Sequence, residues 1–413
     1  MAFTFIETLT LAFPVLFLGR VLVARIPWLR ENNIPAAIAG GLMASLLVSA
    51  FVQSGLMVIT FDESVKDVLM LSFFATVGLG ASYKLLLQGG SHIPLFLLIA
   101  TGLLVMQNSV GIVLAWLMDV HPAVGLIGGS VTLSGGHGTG LAWSALFEET
   151  YGLQGAKEIS LAAATFGLVA GGLLGGPVAQ RLIQRHGLKP TTEKTGDTRD
   201  SPQSVTSMFF TSREMMPSPG IQGFLVHMFV ILLCVLFAGW MDTWMEGTDS
   251  TLTIPTFVWV IMAGIIIRNS CDIAHIPVLE LPILDIIARV SLGLFLASAI
   301  MALNVGELVH LALPMLVILA GQVVMMAVYA QVITYRVMGR VMATHYDAAV
   351  VAGGHCGFGL GATPTAVSNM GALSERYGAS QQAFLIVPLV GAFFIDILNV
   401  AVIQSFLSLP FFP

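Results

Sequence analysis

The residues best able to do chemistry in this chain gather around two glycine-rich runs set in apolar sequence. The first contains Thr132, Ser134, Gly135, Gly136, His137, Gly138, Thr139 and Gly140. The second contains Gly353, Gly354, His355, Cys356, Gly357, Thr363 and Thr365. Glycine is costly inside a helix, so neither run is expected to be a stable helix. Non-helical backbone at membrane depth survives only inside protein or along an aqueous cavity. Thr363 before Pro364 has the form of an N-cap followed by a first helical residue, and Thr139 can start a matching half-helix. Two converging helix N-termini would offer N–H groups and positive dipole ends to an anion. Candidates for that contact are Ser134, Gly135, Gly136, Thr139, Gly353, Gly354, Thr363 and Thr365. The opposite arms end in carbonyls, which suit a hard cation such as sodium; the candidates are Thr132, Ser134, Gly136, Gly354, Cys356 and Gly357. The bland alternative is that these glycines only let helices pack closely. His137 and His355 read equally well as hydrogen-bonded structural residues and as ligands.

One acid lies deep in the last apolar segment. Asp396 is placed to meet an ammonium group or to help ligate sodium, with an interhelical hydrogen bond as the structural alternative. Asn399, at i+3, shares its helical face. Gln107, Asn108 and Gln322 read slightly better as interhelical hydrogen-bond partners than as site residues. Asp347 and Arg376 flank the second run and could form a gating or packing pair.

The elements that must hold these residues are set by composition. Of 413 residues, 56% are hydrophobic and 10% charged, against about 25% charged in soluble domains. Stretches of about 20 residues almost free of charge are long enough to cross a bilayer. Candidate spans are 8–26, 34–60, 68–88, 93–118, 158–182, 222–241, 254–268, 284–303, 311–335 and 381–410. The glycine runs interrupt two further segments, 121–152 and 342–375, which read as re-entrant hairpins. All basic residues except Lys66 and Lys157 fall on one face. By the positive-inside rule that face is cytoplasmic and both termini are periplasmic. The first span is read as retained rather than as a cleaved signal.

Paired motifs recur at a spacing of about 220 residues. Ile34 and Pro35 return as Ile254 and Pro255, Gln107 as Gln322, Gly135–His137 as Gly353–His355, and Glu149, Tyr151 and Gly152 as Glu375, Tyr377 and Gly378. Residues 1–185 and 222–413 thus form two repeats of five spans and one hairpin each, joined by a polar cytoplasmic linker, 186–221. Five is odd, so the halves sit upside down relative to each other. The expected fold is an all-α polytopic membrane protein of two inverted repeats, with its site between them near midplane.

The two glycine runs, together with Met70–Gly78 and Val390–Asp396, resemble the signature segments of the glutamate:sodium symporter family. The likeness extends over the chain outside the linker, which is longer and more polar than expected. It implies sodium-coupled uptake of L-glutamate across a bacterial inner membrane, by a homodimer whose hairpin-bearing regions move in elevator fashion. It implies no cofactor beyond the coupling ion, and no nucleic-acid partner. A hydroxycarboxylate symporter is the alternative within the class, although an acid such as Asp396 suits an ammonium-bearing solute better. Opposed half-helices also build solute channels. An intramembrane enzyme is disfavoured, because no His pair has metal-ligand spacing and no nucleophile–base pair stands out. Cys234, Cys271 and Cys356 show no metal or disulfide pattern. No phosphate-binding loop is present.

Overall fold

The computed structural model describes residues 2–31, 34–53, 59–84, 92–190, 221–246, 254–276, 279–302, 312–410 and 412. Most of the expected linker lies outside the described residues. Among the described residues the chain is all helix, with no strand. The N-terminal half holds α1 (Phe5–Arg25), α2 (Pro27–Glu31), α3 (Ala36–Gln53), α4 (Ser64–Gly80), α5 (His92–Leu117) and α6 (Pro122–Leu126). A π-helical turn (Ile127–Val131), α7 (Gly136–Glu149) and α8 (Ala156–His186) complete it. The second half begins with α9 (Ile221–Glu246), α10 (Thr256–Ile273), α11 (Leu281–Met301) and α12 (Ala312–Tyr329). A π-helical turn (Ala330–Thr334) leads into α13 (Tyr335–Met338), followed by α14 (His345–Leu360) and α15 (Thr363–Tyr377). The last element is α16 (Gln381–Leu389), continued through a π-helical turn (Val390–Phe394) into α17 (Ile395–Leu407).

Among the described residues, seven helices are long and apolar enough to cross a bilayer: α1, α5, α8, α9, α10, α11 and the run from α12 to Met338. The last segment forms a bent pair, Gln382–Ala392 and Ile395–Leu407, turning by 49°. The other two expected spans are shorter. In α3 the apolar stretch is Ala36–Ser49, and α4 has 17 residues. Large apolar side chains including Phe17, Leu98, Leu232, Trp240, Leu313 and Val324 are exposed, a surface that water would not tolerate and lipid would. This is a multi-pass membrane protein.

Two of the paired motifs occupy matching local structures. Pro35 and Pro255 each sit just before a helix, and their carbonyls accept from Ile38 (3.0 Å) and Val258 (2.9 Å) in the first turn. Gly152 and Gly378 follow α7 and α15 with φ of 64° and 121°, the region open to glycine. The helices pack in two groups. In one, α4 lies against α10 and α11, α3 against α1 and α11, and α9 against α10. In the other, α8 lies along α7, α14 and α15, while α5 packs against α6, α12 and α17.

Candidate functional site

The chain breaks at two places in the second group. In the first, Gly129 leaves helical geometry (φ −101°, ψ −135°), and a turn over Thr132–Gly135 leads into α7. In the second, α14 ends at Leu360, Gly361 leaves helical geometry (φ −140°, ψ −93°), Ala362 is extended, and α15 starts at Thr363. The breaks face each other. A Cβ built on Gly136 (φ +71°) would meet only the Gly361 carbonyl, at 4.0 Å. The Ser134 hydroxyl oxygen lies 3.2 Å from the Gly359 carbonyl across the gap.

The glycine runs themselves correct the sequence reading. Both are largely helical: Gly136–Gly140 form the start of α7, and Gly353–Gly359 lie inside α14. The breaks are confined to the turn before Gly136 and to Gly361 and Ala362. The physical reason is packing. Gly167, Gly171 and Gly175 on α8 form a stripe at four-residue spacing, against Leu360, Gly357 and Gly353 of α14. Cβ atoms on those α8 positions would lie 2.0, 3.0 and 2.5 Å from the carbonyls of Leu360, Gly357 and Gly353. Small residues at this spacing let two backbones touch inside a membrane, and a helix keeps its own buried amides paired. The close-packing alternative therefore accounts for much of the second run. It follows that Gly354 and Cys356 do not lie in a loop of free carbonyls. The Gly357 carbonyl accepts from Gly361 and Ala362. The carbonyls that face the first break are those of Gly359 and Gly361.

Two other expectations shift. Ala362, not Thr363, occupies the cap position of α15, and no side chain caps that helix. Likewise α7 starts three residues before Thr139, with Gly135 at its cap. Ser134, Thr139, Thr132, Thr363, Thr365, Cys356 and Asn399 are all buried. Thr132 turns its hydroxyl onto the Ile127 carbonyl at 2.6 Å. The Thr365 hydroxyl has no partner among the described residues.

A chain of carboxamides knits the breaks to the surrounding helices. Gln107 on α5 donates to the Gly359 carbonyl at 2.6 Å and accepts from the Ser134 hydroxyl at 2.7 Å. Gln322 on α12 donates to the Gln107 carbonyl at 2.7 Å, so the two paired glutamines meet. Asn108 accepts from the Ser130 amide at 2.9 Å, and Asn399 on α17 donates to the Ser130 carbonyl at 2.9 Å. Gln107, Asn108 and Gln322 are interhelical partners, as read. They also hold both breaks. Ser130 was missed, and its only signal in the sequence was its place just before the first run.

Asp396 begins α17, one turn before Asn399, partly buried and without a hydrogen-bond or ion-pair partner among the described residues. Both histidines are buried and hydrogen-bonded. His137 lies 3.1 Å from the Thr165 hydroxyl. That hydroxyl donates to the Leu161 carbonyl, so His137 Nε2 carries the proton. His355 Nδ1 lies 2.9 Å from the Thr334 hydroxyl, with its ring among Phe96, Tyr329 and Phe358. Asp347 and Arg376 do not pair: Asp347 accepts from Thr344 and Ser380, and Arg376 lies over Tyr377.

A cavity of about 750 Å³ opens between the two groups, bounded by α4 and α11 on one side and α7 and α8 on the other. It reaches Leu141, one residue beyond the first glycine run. Lys66 and Lys157, which the sequence sets apart from the other basic residues, both line it. Each is paired, Lys66 with Glu63 and Lys157 with Glu148 at 2.9 Å. The Lys66 ammonium holds the Glu63 carboxyl below its ordinary range, against the opposing pull of burial.

Comparison with known proteins gives a consistent answer. The family model described as Sodium/glutamate symporter matches residues 1–379. The chain is 45% identical over 413 residues to a protein of Escherichia coli (strain K12) named Sodium/glutamate symporter, covering 98% of each. A protein of Haemophilus influenzae with the same name is 43% identical over 410 residues, again covering 98% of each.

Proposed function

We propose that this chain, which belongs to the sodium/glutamate symporter family, is a secondary transporter that carries L-glutamate into the cell with sodium. The relatives are named as symporters, not enzymes. The observation that carries the reading is the meeting of two helix starts: α7 and α15 begin beside breaks that face each other at Gly136 and Gly361. Their unpaired amides and dipole ends suit a carboxylate. Ser134, Gly135, Gly136, Thr139, Thr363 and Thr365 line the starts and are the proposed carboxylate contacts. Gly353 and Gly354 support them from within α14. Asp396, unpartnered beside Asn399, is the proposed contact for the ammonium group. The sodium shell drawn from Thr132, Ser134, Gly136, Gly354, Cys356 and Gly357 narrows to Thr132 and Ser134, with the Gly359 carbonyl between them and the second break.

The matched motifs, the matched helix ends and the mutual contact of Gln107 with Gln322 support two inverted repeats, 1–185 and 222–413, with re-entrant segments at 121–152 and 342–375. The two helix groups support an elevator-type movement, in which the break-bearing group slides against α1, α3, α4, α9, α10 and α11 with the cavity at the join as solute path. We place the protein as a homodimer in a bacterial inner membrane, both termini periplasmic. Purified protein in liposomes should accumulate labelled glutamate with an inward sodium gradient and not without one. Equal uptake in both conditions would end the coupling claim.

A further inference from the structure

A second cavity, of about 350 Å³, lies in the helix group that carries no break. It opens where α4 and α10 end and α11 is about to begin. Lys84, Arg268, Asp272 and His275 line it, together with the apolar Ile276 and Leu279. Helix C-termini repel anions, but here the terminal carbonyls are already taken. The Lys84 ammonium donates to the Asp272 carbonyl, Arg268 to the Leu279 carbonyl at 3.4 Å, and Asn269 to the Ala81 carbonyl at 3.0 Å. The Ile276 amide closes α10 on the Cys271 carbonyl at 3.0 Å. Asp272 is the one acid among the lining residues, and its carboxylate accepts from Ser82 and from Arg268 Nε at 3.2 Å. The adjacent Glu280 is turned to α9, where a Cβ on Gly223 would lie 3.7 Å from its Oε1. One acid against Lys84 and Arg268 leaves the cavity net positive. Both cations keep N–H groups to spare among the described residues, since an ammonium has three and a guanidinium five. His275, just past the end of α10, sits in the left-handed region (φ 57°), at a position that glycine normally fills. Beside it, Ile273 and Ile276 are 67% and 51% exposed.

We propose that this cavity holds the phosphate headgroup of an anionic phospholipid, with Lys84, Arg268 and His275 as donors and Ile273 and Ile276 against the acyl chains. The net charge selects an anion. The exposed isoleucines, at the end of a helix that crosses the bilayer, select a lipid over a free phosphate, because a soluble ion gains nothing from an apolar rim. Basic pockets between membrane helices on the cytoplasmic side suit such headgroups, and Lys84 and Arg268 belong to the basic face assigned to the cytoplasm. The choice of leaflet rests on that assignment; the chemistry of the cavity does not. The elements α4, α10 and α11 form part of the group against which the break-bearing group is proposed to slide. A lipid held here would therefore anchor the stationary part.

The test uses the full-length protein in detergent and follows its melting temperature. It is titrated with short-chain phosphatidylglycerol, with phosphatidylcholine of the same chain length, or with inorganic phosphate. Phosphatidylglycerol is expected to raise the melting temperature, and the other two to leave it in place. Lys84→Gln and, independently, His275→Gly should each raise the half-stabilising phosphatidylglycerol concentration about fivefold, the worth of one such contact. His275→Gly also relieves the left-handed backbone and should melt no lower than wild type without lipid, so weaker binding there cannot be misfolding. No stabilisation by phosphatidylglycerol, or equal stabilisation by phosphatidylcholine, would overturn the site. So would wild-type phosphatidylglycerol dependence in both variants, which would leave Lys84 and Arg268 as helix caps alone. Stabilisation by phosphate at the same concentrations would overturn the lipid and assign the cavity to a soluble anion. Micelles have no sides, so the result stands apart from the orientation of the chain in the membrane.

Discussion

Gly167 offers a sharp test of how the second break is held. A methyl group there would lie 2.0 Å from the Leu360 carbonyl oxygen and 2.8 Å from Leu133 Cδ2, whereas ordinary contact begins at 3.4 Å. The nearer obstacle is backbone, and it belongs to the last residue of α14. It cannot swing aside as a side-chain tip would. Gly167→Ala must push α14 from α8 or distort the turn at Gly361. Overpacking of this kind costs about 1–3 kcal/mol. The helix-propensity gain of Ala over Gly returns about 1 kcal/mol, so the net is about 0–2 kcal/mol of destabilisation, toward the upper end because the obstacle is backbone. Gly239→Ala in α9 is the control, because nothing lies within 4 Å of a Cβ there; only the propensity gain applies. In a thermal unfolding assay on purified protein, Gly167→Ala should melt below wild type and Gly239→Ala at or above it. Glutamate uptake should fall in the first variant alone, since Leu360 adjoins both the Gly359 carbonyl and the break. If the two variants melted and transported alike, the close contact of α8 with α14 would be wrong, and with it the account of the helical glycine run.

Other perturbations probe the rest of the site. Asp396→Asn should abolish uptake while insertion and melting are retained; normal uptake would place the ammonium contact elsewhere. Gly354→Leu meets Met370 Sδ and Val387 Cγ1, at 2.7 and 3.0 Å from the first added atom, and should also stop transport; full activity would mean that α14 is not packed as described. Replacing both Lys66 and Lys157 with Gln removes the positive charges facing the cavity and should raise the glutamate KM about threefold at low ionic strength, with the effect fading as salt screens it. A KM unchanged at low salt would argue that the cavity is not the solute path.

How much of this was legible beforehand divides along a physical line. Class and span positions followed from apolar length, because a bilayer imposes one dimension on every crossing helix. The paired motifs were legible because Pro35 and Pro255, or Gly152 and Gly378, perform the same local task at a helix end. The glycine runs misled because glycine has two uses in membranes, and propensity alone cannot separate them. The α8 stripe of Gly167, Gly171 and Gly175 was the missing clue: it shows a second surface waiting for the first. Ser130 had no such flag, since its importance comes from Asn108 and Asn399, 22 and 269 residues away in sequence.

The helical character of the second run changes what kind of moving part the site requires. A flexible loop could rearrange around a solute by itself. A helix whose backbone lies against α8 at three successive turns, and whose partner α15 packs on the same α8, cannot bend without opening that contact. Gln107 then ties the Gly359 carbonyl to α5 and to Ser134 at the first break. The two breaks, α5 and α8 are therefore one mechanical unit, and solute exchange by moving either break alone would expose several buried carboxamides. On the proposed elevator-type movement those bonds would stay intact and the contacts with α4, α10 and α11 would change, where the 750 Å³ cavity already separates the groups. A cross-link between α8 and α14 should accordingly leave transport running, whereas one between α8 and α11 should arrest it.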